Sequence, residues 1–156
     1  MSLEVGDVAP QFRLRDQDGA ERSLAKLNDR PLLLAFYPAD DTPGCTIQAC
    51  DIRDSWGEFE ALGVRVVGVS PDDVATHRGF ASAHGLPQVL LADPDHTVLE
   101  AYGAWGEKVL YGRTSIGVIR SSVLIGADGR VLRLWRRAQA RTHAERALKA
   151  CRELMA

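Results

Sequence analysis

Continuous apolar runs mark buried strands in the first two thirds of the chain. Leu32–Tyr37 and Val64–Val69 are apolar at almost every position rather than at alternate ones, which is typical of strands covered on both faces of a parallel sheet. Gln88–Ala92 predicts a third strand of this kind. We expect these strands to alternate with helices in an α/β arrangement.

The segments after the first two runs carry helix start signals. Thr42 can act as a hydroxyl N-cap with Pro43 at the first helical position, which predicts a helix running to about Leu62. Ser70–Asp73 repeats this capping pattern and predicts a second helix reaching about His84. The residues of the first helix expected to pack on the sheet are Cys45, Ala49, Ile52, Trp56 and Phe59.

Turn signals predict a hairpin near each end of the chain. Phe12 and Leu14 alternate with polar neighbours before the turn residues 16–19, which indicates an N-terminal hairpin. Residues 127–129 separate two further apolar runs and predict a second hairpin. The stretch 93–117 is rich in glycine, aspartate and aromatic residues, and we interpret it as loops with short helical or extended pieces.

The chain ends in a predicted helix, which completes the fold class. Thr142 and Glu145 form a capping box at its start. Its buried stripe is predicted to comprise Ala144, Ala147, Leu148, Cys151 and Leu154. The order of elements describes an α/β fold with a central mixed sheet, flanking helices and an N-terminal hairpin. This is the thioredoxin-like arrangement, and we expect one such domain over residues 1–156.

The composition narrows the class of protein and of partner. The chain has 156 residues, 46% apolar and 26% charged, with a formal net charge of −2, so it lacks the basic excess of a nucleic-acid or membrane-surface binder. We interpret the C-terminal arginines as a solvated face: Arg130, Arg133, Arg136, Arg137 and Arg141. The apolar runs are too short to span a membrane, and no signal peptide is visible. With only three cysteines, we expect a cytoplasmic protein with reduced or redox-active thiols.

Cys45 is the first candidate for chemistry, since it stands third in a predicted helix that follows a buried strand. The first N–H groups of a helix lack internal partners, and the helix dipole places partial positive charge there. Both effects favour a thiolate over a thiol. The carboxyl end of a strand is also where open α/β sheets place their sites. Position alone leaves open a structural cysteine at the end of the buried stripe.

The residues around Cys45 resemble a known family. Pro38, Thr42 and Cys45 have the spacing of the active-site signature of the peroxiredoxins. The longer segment 36–46 resembles the bacterioferritin-comigratory, or Q-type, subgroup, and so does the later stretch 105–122. The similarity covers nearly the whole chain, which makes it far more specific than the short signature alone.

This resemblance implies a thiol peroxidase that reduces hydrogen peroxide and small alkyl hydroperoxides without a metal or other cofactor. Cys45 matches the peroxidatic cysteine, whose thiolate attacks the peroxide and becomes a sulfenic acid. Thr42 matches the hydroxyl that hydrogen-bonds the thiolate and the peroxide, and Pro38 the proline that shields the sulfur. Arg120 matches the arginine beside the thiolate, although without the resemblance we would interpret it as a surface charge. The Q-type subgroup also implies a monomer.

Cys50 lies five residues after Cys45 on the same predicted helix. In an intact helix the two side chains would point about 140° apart, with a rise of about 7.5 Å, too far for an unstrained disulfide. The resemblance assigns Cys50 the resolving role, with thioredoxin or a similar dithiol as reductant. The helix would then have to unwind in each turnover. The alternative is that Cys50 is an idle thiol.

The third cysteine, two departures from the family pattern and the alternative functions remain to be interpreted. Cys151 is interpreted as a core residue, although a role as a second disulfide partner or in an intermolecular bridge stays open. Ala39 and Gln48 stand where a lysine and a glutamate are usual in the family, which changes the expected charge near the site. A disulfide reductase would want a Cys-x-x-Cys pair, and the cysteine and histidine spacings do not suit zinc. A redox sensor that uses Cys45 and Cys50 as a switch is the non-enzyme alternative.

Overall fold

The computed structural model describes residues 3–155, apart from the side chain of Leu110. Its strands are β1 Arg13–Arg15, β2 Glu21–Ser23, β3 Leu32–Phe36, β4 Arg65–Ser70, β5 Val89–Ala92, β6 Trp105–Leu110, β7 Arg113–Val118, β8 Ser121–Ile125 and β9 Val131–Trp135. Its helices are α1 Leu24–Leu27, α2 Pro43–Asp54, α3 Trp56–Ala61, α4 Val74–His84, α5 Thr97–Ala101 and α6 Ala140–Met155.

Seven strands form one mixed sheet in the order β2-β1-β5-β4-β3-β8-β9. The β3–β4 and β4–β5 pairs are parallel, whereas the β1–β2, β1–β5, β3–β8 and β8–β9 pairs are antiparallel. This confirms the predicted thioredoxin-like architecture, with a central mixed sheet, flanking helices and an N-terminal hairpin. None of the helices within residues 3–155 combines the length and apolar character needed to cross a membrane.

Strand β3 is buried at every position because both faces of the sheet are covered. Leu32, Leu34 and Phe36 belong to the core on one face, together with Tyr102. Leu33 points the other way, into the core that α2, α3 and α6 cover. The alternation of side chains along a strand therefore explains why the sequence is apolar throughout rather than at every second residue.

The first long helix differs from its predicted extent. It is divided at Ser55 into α2 and α3, where two weak helix formers, Ser55 and Gly57, come close together. Of the predicted buried stripe, Cys45, Ala49, Ile52 and Phe59 are buried, as expected. Trp56 is only partly buried, and its Nε1 donates to a carboxylate oxygen of Glu60 at 2.9 Å.

Two details predicted for the last helix are wrong. Helix α6 begins at Ala140, so Thr142 lies inside its first turn and cannot open a capping box. Alanine and arginine are strong helix formers, which explains the earlier start. Leu154 is 40% exposed, because Met155, four residues after the buried Cys151, takes the place against the core in the final turn.

The stretch 93–117 is more regular than predicted, since it contains α5 and a projecting hairpin of β6 and β7. Tyr111 and Gly112 both have positive φ, 53° and 74°, as a two-residue type I′ turn requires. Strand β7 is exposed over most of its length. Because no buried face imposes a period of two, the sequence carries no clear strand signal there.

Candidate active site

Cys45 lies at the third position of α2, one short loop beyond the carboxyl end of β3. Its side chain is 2% exposed. Pro43 fills the first helical position, where the absence of an N–H group costs no hydrogen bond. The sulfur therefore lies at the positive end of the helix, in a pocket that excludes most water.

Arg120 lies between β7 and β8, 75 positions after Cys45 in the sequence, and its side chain contacts this sulfur. Its Nη2 donates to Cys45 Sγ at 3.1 Å, and its Nη1 donates to Oε1 of Gln48. Arg120 is therefore not the surface charge that its local sequence alone would indicate: the residue is half-buried, and its guanidinium lies against the first turns of α2. A cation in contact with the sulfur stabilises negative charge on it.

Gln48 belongs to this site, although the sequence marks it only as a departure from the family pattern. It is buried and lies three residues after Cys45, hence on the same face of α2. Because its amide is neutral, its contact with Arg120 leaves the guanidinium charge unneutralised. The i, i+3 spacing from Cys45 was the signal that could have placed it in the site.

Thr42 is the N-cap residue of α2, with extended dihedral angles of −83° and 150°. Its hydroxyl makes no capping bond. It donates instead to the backbone oxygen of Ala39 at 2.7 Å, so the prediction of a hydroxyl N-cap is wrong. The hydroxyl closes the loop ahead of Cys45, because the carbonyl of Ala39, three residues before Thr42, competes with the helical N–H groups for it.

Pro38 and Cys50 lie on either side of this centre along the chain. Pro38 is half-buried in the loop between β3 and α2, and Cys50 is half-buried further along α2. Both Cys45 and Cys50 are free thiols. Residues 43–54 form one continuous helix, so the two thiols are held on different faces of it.

A buried network fastens the loop that precedes Cys45. The hydroxyl of Tyr37 donates to Oδ1 of Asp40 at 2.6 Å, and Nδ1 of His77 lies 2.6 Å from Oδ2 of Asp40. Burial, followed by the neighbouring Asp40 carboxylate, raises the pKa of Tyr37 well above its ordinary value, so the phenol remains a donor. Nothing in the sequence pattern pointed to His77, which is fully buried on α4.

The contacts of His77 fix where its protons lie. Its Nε2 is 3.0 Å from the backbone oxygen of Leu91, which can only accept, so Nε2 carries a proton. One further proton must then lie between Nδ1 and the Asp40 carboxylate. Asp40, Asp72 and His77 are also close enough to hold a metal ion. Their ligand atoms already bond to protein groups, so the cluster acts as a scaffold for the loop.

Two titratable groups of the core lie outside this network. Cys151 is fully buried, as predicted, and burial raises the pKa of its thiol to about 11. His143 is buried beside Ser122, whose Oγ is 2.5 Å from its Nε2. Burial, with the positive charges of Arg120 and Arg146, lowers the pKa of His143 to about 4. Both groups are therefore uncharged at neutral pH.

A thioredoxin-like fold with a buried thiol at a helix start, beside a cation, is the arrangement of a thiol peroxidase, and known proteins agree. Residues 5–133 match the model of the AhpC/TSA family. Peroxiredoxin Bcp of Bacillus subtilis is 37% identical over 154 residues, 99% of this chain and 98% of that protein. Peroxiredoxin Bcp of Escherichia coli is 45% identical over 129 residues, 83% of each chain.

A solved structure agrees with these relatives. The bacterioferritin comigratory protein of Xanthomonas campestris, which has alkyl peroxide reduction activity, superposes with a TM-score of 0.90 at 30% identity, covering 99% of this chain and 98% of that one. The chain belongs to the AhpC/TSA family, as a peroxiredoxin of the bacterioferritin-comigratory type. Its reaction is accordingly the thiol-dependent reduction of peroxides.

Proposed function

We propose that the protein reduces hydrogen peroxide and small organic hydroperoxides through a sulfenic acid on Cys45. The observation that carries this proposal is the 3.1 Å contact between Cys45 Sγ and Nη2 of Arg120 at the start of α2. The alkyl peroxide reduction activity of the Xanthomonas campestris relative supports organic hydroperoxides as substrates.

The first step transfers one oxygen atom to sulfur. The Cys45 thiolate attacks the terminal peroxide oxygen, the O–O bond breaks, and Cys45 becomes the sulfenic acid. The leaving alkoxide or hydroxide takes up a proton to become an alcohol or water. Negative charge thus moves from sulfur to the departing oxygen, where a cation and hydroxyl and backbone donors stabilise it.

The neighbouring residues are proposed to share this work. The guanidinium of Arg120 stabilises the thiolate before the attack and the oxygen during it. The hydroxyl of Thr42 donates to the backbone oxygen of Ala39 without substrate. It turns toward the peroxide once substrate is bound. Pro38, half-buried beside the loop, keeps bulk water from the sulfur.

Cys50 is proposed to resolve the sulfenic acid. Its thiol would condense with the sulfenic acid of Cys45, forming a disulfide and releasing one water. Because both residues lie on the continuous helix α2, the first turns of that helix must unwind before the sulfurs can meet. A dithiol such as thioredoxin would then reduce the disulfide and return both thiols.

The cellular setting is proposed on the same basis. The chain is taken to act as one domain over residues 1–156, as a monomer in the cytoplasm, with no metal, prosthetic group, membrane or nucleic acid involved. The neutral Gln48 in place of an acidic residue supports a site whose positive charge comes from Arg120.

The test is to add one equivalent of hydrogen peroxide to the reduced, folded protein and map its disulfides by peptide mass. We expect a rapid, stoichiometric Cys45–Cys50 bridge, and in Cys50→Ser a sulfenic acid on Cys45 without a bridge. A Cys45 that reacts no faster than an ordinary exposed thiol would contradict the peroxidase. With thioredoxin and its reductase present, many equivalents should be consumed; a redox sensor would stop after one.

A further inference from the structure

The turn of α2 between the two cysteines is fastened by a side chain from outside the helix. Gln88 lies directly before β5 and is 2% exposed, and its Nε2 donates to the backbone oxygen of Ala49 at 3.1 Å. Strand β5 pairs with β4 inside the sheet, so Gln88 stands on a fixed support. Ala49 immediately precedes Cys50.

The orientation of two amides follows from their partners. Gln88 must turn Nε2 toward Ala49, because a carbonyl oxygen only accepts hydrogen bonds. Gln48 must turn Oε1 toward Arg120, because a guanidinium only donates. One buried atom of each amide is then without a protein partner in the described part of the chain, the acceptor Oε1 of Gln88 and the donor Nε2 of Gln48.

Both amides line one small cavity beside Cys45. The rest of its wall is formed by Ala35, Tyr37, Ala49, Ile52, Gly68 and Leu90. It offers about 10 Å³ to the centre of a water molecule, about the room that one water needs. One donor and one acceptor in such a space match the hydrogen-bonding needs of a single bridging water.

We propose that Gln88 is a positioning residue that latches this turn, through its bond to Ala49 and through one water bridging its Oε1 to Nε2 of Gln48. The proposal rests on the resolving role proposed for Cys50. The latch must open before the two sulfurs meet. Its strength therefore sets the fraction of oxidised molecules with an open turn, and so the rate at which the disulfide forms.

The test compares Gln88→Met with the matched variant Gln17→Met. The side chain of Gln17 bonds to the backbone of Gln88 and Leu90, so its loss perturbs the same strand without touching α2. Two quantities are measured: hydrogen exchange of the peptide 43–54 in the reduced protein, and the rate of disulfide formation after one equivalent of peroxide. Gln88→Met should raise both about three- to tenfold, and Gln17→Met should leave both unchanged.

Slower exchange in Gln88→Met would overturn the proposal, because it would mean that the cavity is dry and that the change removed a buried, unpaired acceptor. No change, or equal effects in the two variants, would also overturn it. If Gln88→Met does not fold, Gln88→Asn serves, since its amide is one methylene too short to reach Ala49. If the wild type forms no Cys45–Cys50 disulfide, the role of Cys50 fails, and hydrogen exchange still decides on the latch.

Discussion

The sulfur of Cys45 lies where two sources of positive potential overlap, the first turn of α2 and the Nη2 atom of Arg120. The burial of the thiol strengthens both interactions, because there is little water to screen them. Arg120 has a second fixed point at Gln48, and its backbone oxygen accepts from the N–H of Ala138 at 2.8 Å. The guanidinium is thus held in place before any substrate arrives.

We predict that Arg120→Met slows the reaction of Cys45 with hydrogen peroxide by about 100-fold or more, the usual cost of losing one preorganised donor at a developing negative charge. The rate is measured by competition with a second peroxidase for limiting peroxide. Arg141→Met, which removes an exposed arginine of α6, should keep the wild-type rate. Equal rates in the two variants would show that Arg120 does not act on the chemistry.

His143 makes stability depend on pH. Burial lowers its pKa to about 4, below the ordinary value near 6.5, so between these values the unfolded chain binds a proton that the folded chain does not. The contribution of His143 to the free energy of unfolding should be constant above about pH 6.5 and fall by roughly 3 kcal/mol as the pH approaches 4. Urea unfolding at several pH values measures this.

The His143 contribution is isolated by comparing variants. His143→Gln should flatten the loss of stability between pH 6.5 and 4.5, whereas His84→Gln, at a partly exposed ring, should follow the wild type. Curves for His143→Gln that run parallel to the wild type would contradict the assignment, since other groups would then carry the dependence.

Local sequence could identify Cys45 but could not place all of its partners. A helix start after a buried strand is a local pattern, and so is the spacing of Pro38, Thr42 and Cys45. Arg120 is 75 positions from Cys45, and only the family resemblance pointed to it. The Thr42 hydroxyl had two local partners open to it, and the prediction chose the wrong one.

At the scale of elements, Gly68 on strand β4 lines the cavity beside Cys45, and its missing side chain leaves space there. A Cβ atom at this position would lie 3.0 Å from both Leu90 Cδ2 and Tyr37 Cε1, closer than side chains normally approach. Tyr37 is fixed by its bond to Asp40, so it cannot easily move away. The close packing of strand and loop therefore depends on the missing side chain.

We predict that Gly68→Ala lowers the free energy of unfolding by about 1–3 kcal/mol through overpacking. Gly79→Ala is the matched variant: Gly79 is exposed on α4 with no atom within 4 Å of its Cβ position, so alanine should stabilise the protein by about 0.5–1 kcal/mol. Denaturant titrations measure both. The same sign for the two variants would contradict the packing argument.

The strands were more predictable than the ends of the helices. Strands β3 and β4 are buried on both faces, so their sequences are continuous apolar runs that are easy to recognise. Strands β8 and β9 flank a clear turn. The break at Ser55 and the start at Ala140 depend on small differences in helix propensity and on tertiary packing, which a local pattern does not contain.

At the scale of the whole molecule, the β6–β7 hairpin stands apart from the main sheet. Its tip carries Tyr111, which is 95% exposed, and Val109 and Ile116 are exposed along its strands. Every other tyrosine and every phenylalanine of the described chain is buried: Tyr37, Tyr102, Phe12, Phe36, Phe59 and Phe80. A protease selective for aromatic residues therefore has one open target among these.

We predict that brief digestion with chymotrypsin cuts the native protein first after Tyr111, giving fragments 1–111 and 112–156 by mass spectrometry. Exposed turns are where native chains are cleaved most readily. Tyr111→Ala should remove this early cut and leave the later digestion unchanged. An early cut elsewhere would indicate that another part of the chain opens more easily.

Because Cys151 is buried, the reaction of its thiol with a reagent reports the global unfolding of the protein. It lies in the core with a high pKa, on α6 rather than on the helix that carries Cys45 and Cys50. A thiol reagent applied to the native protein should therefore label Cys45 and Cys50 at the rate of local opening. It should label Cys151 only at the rate of global unfolding. The ratio of these labelling rates would distinguish the local opening proposed for disulfide formation from the unfolding of the whole molecule.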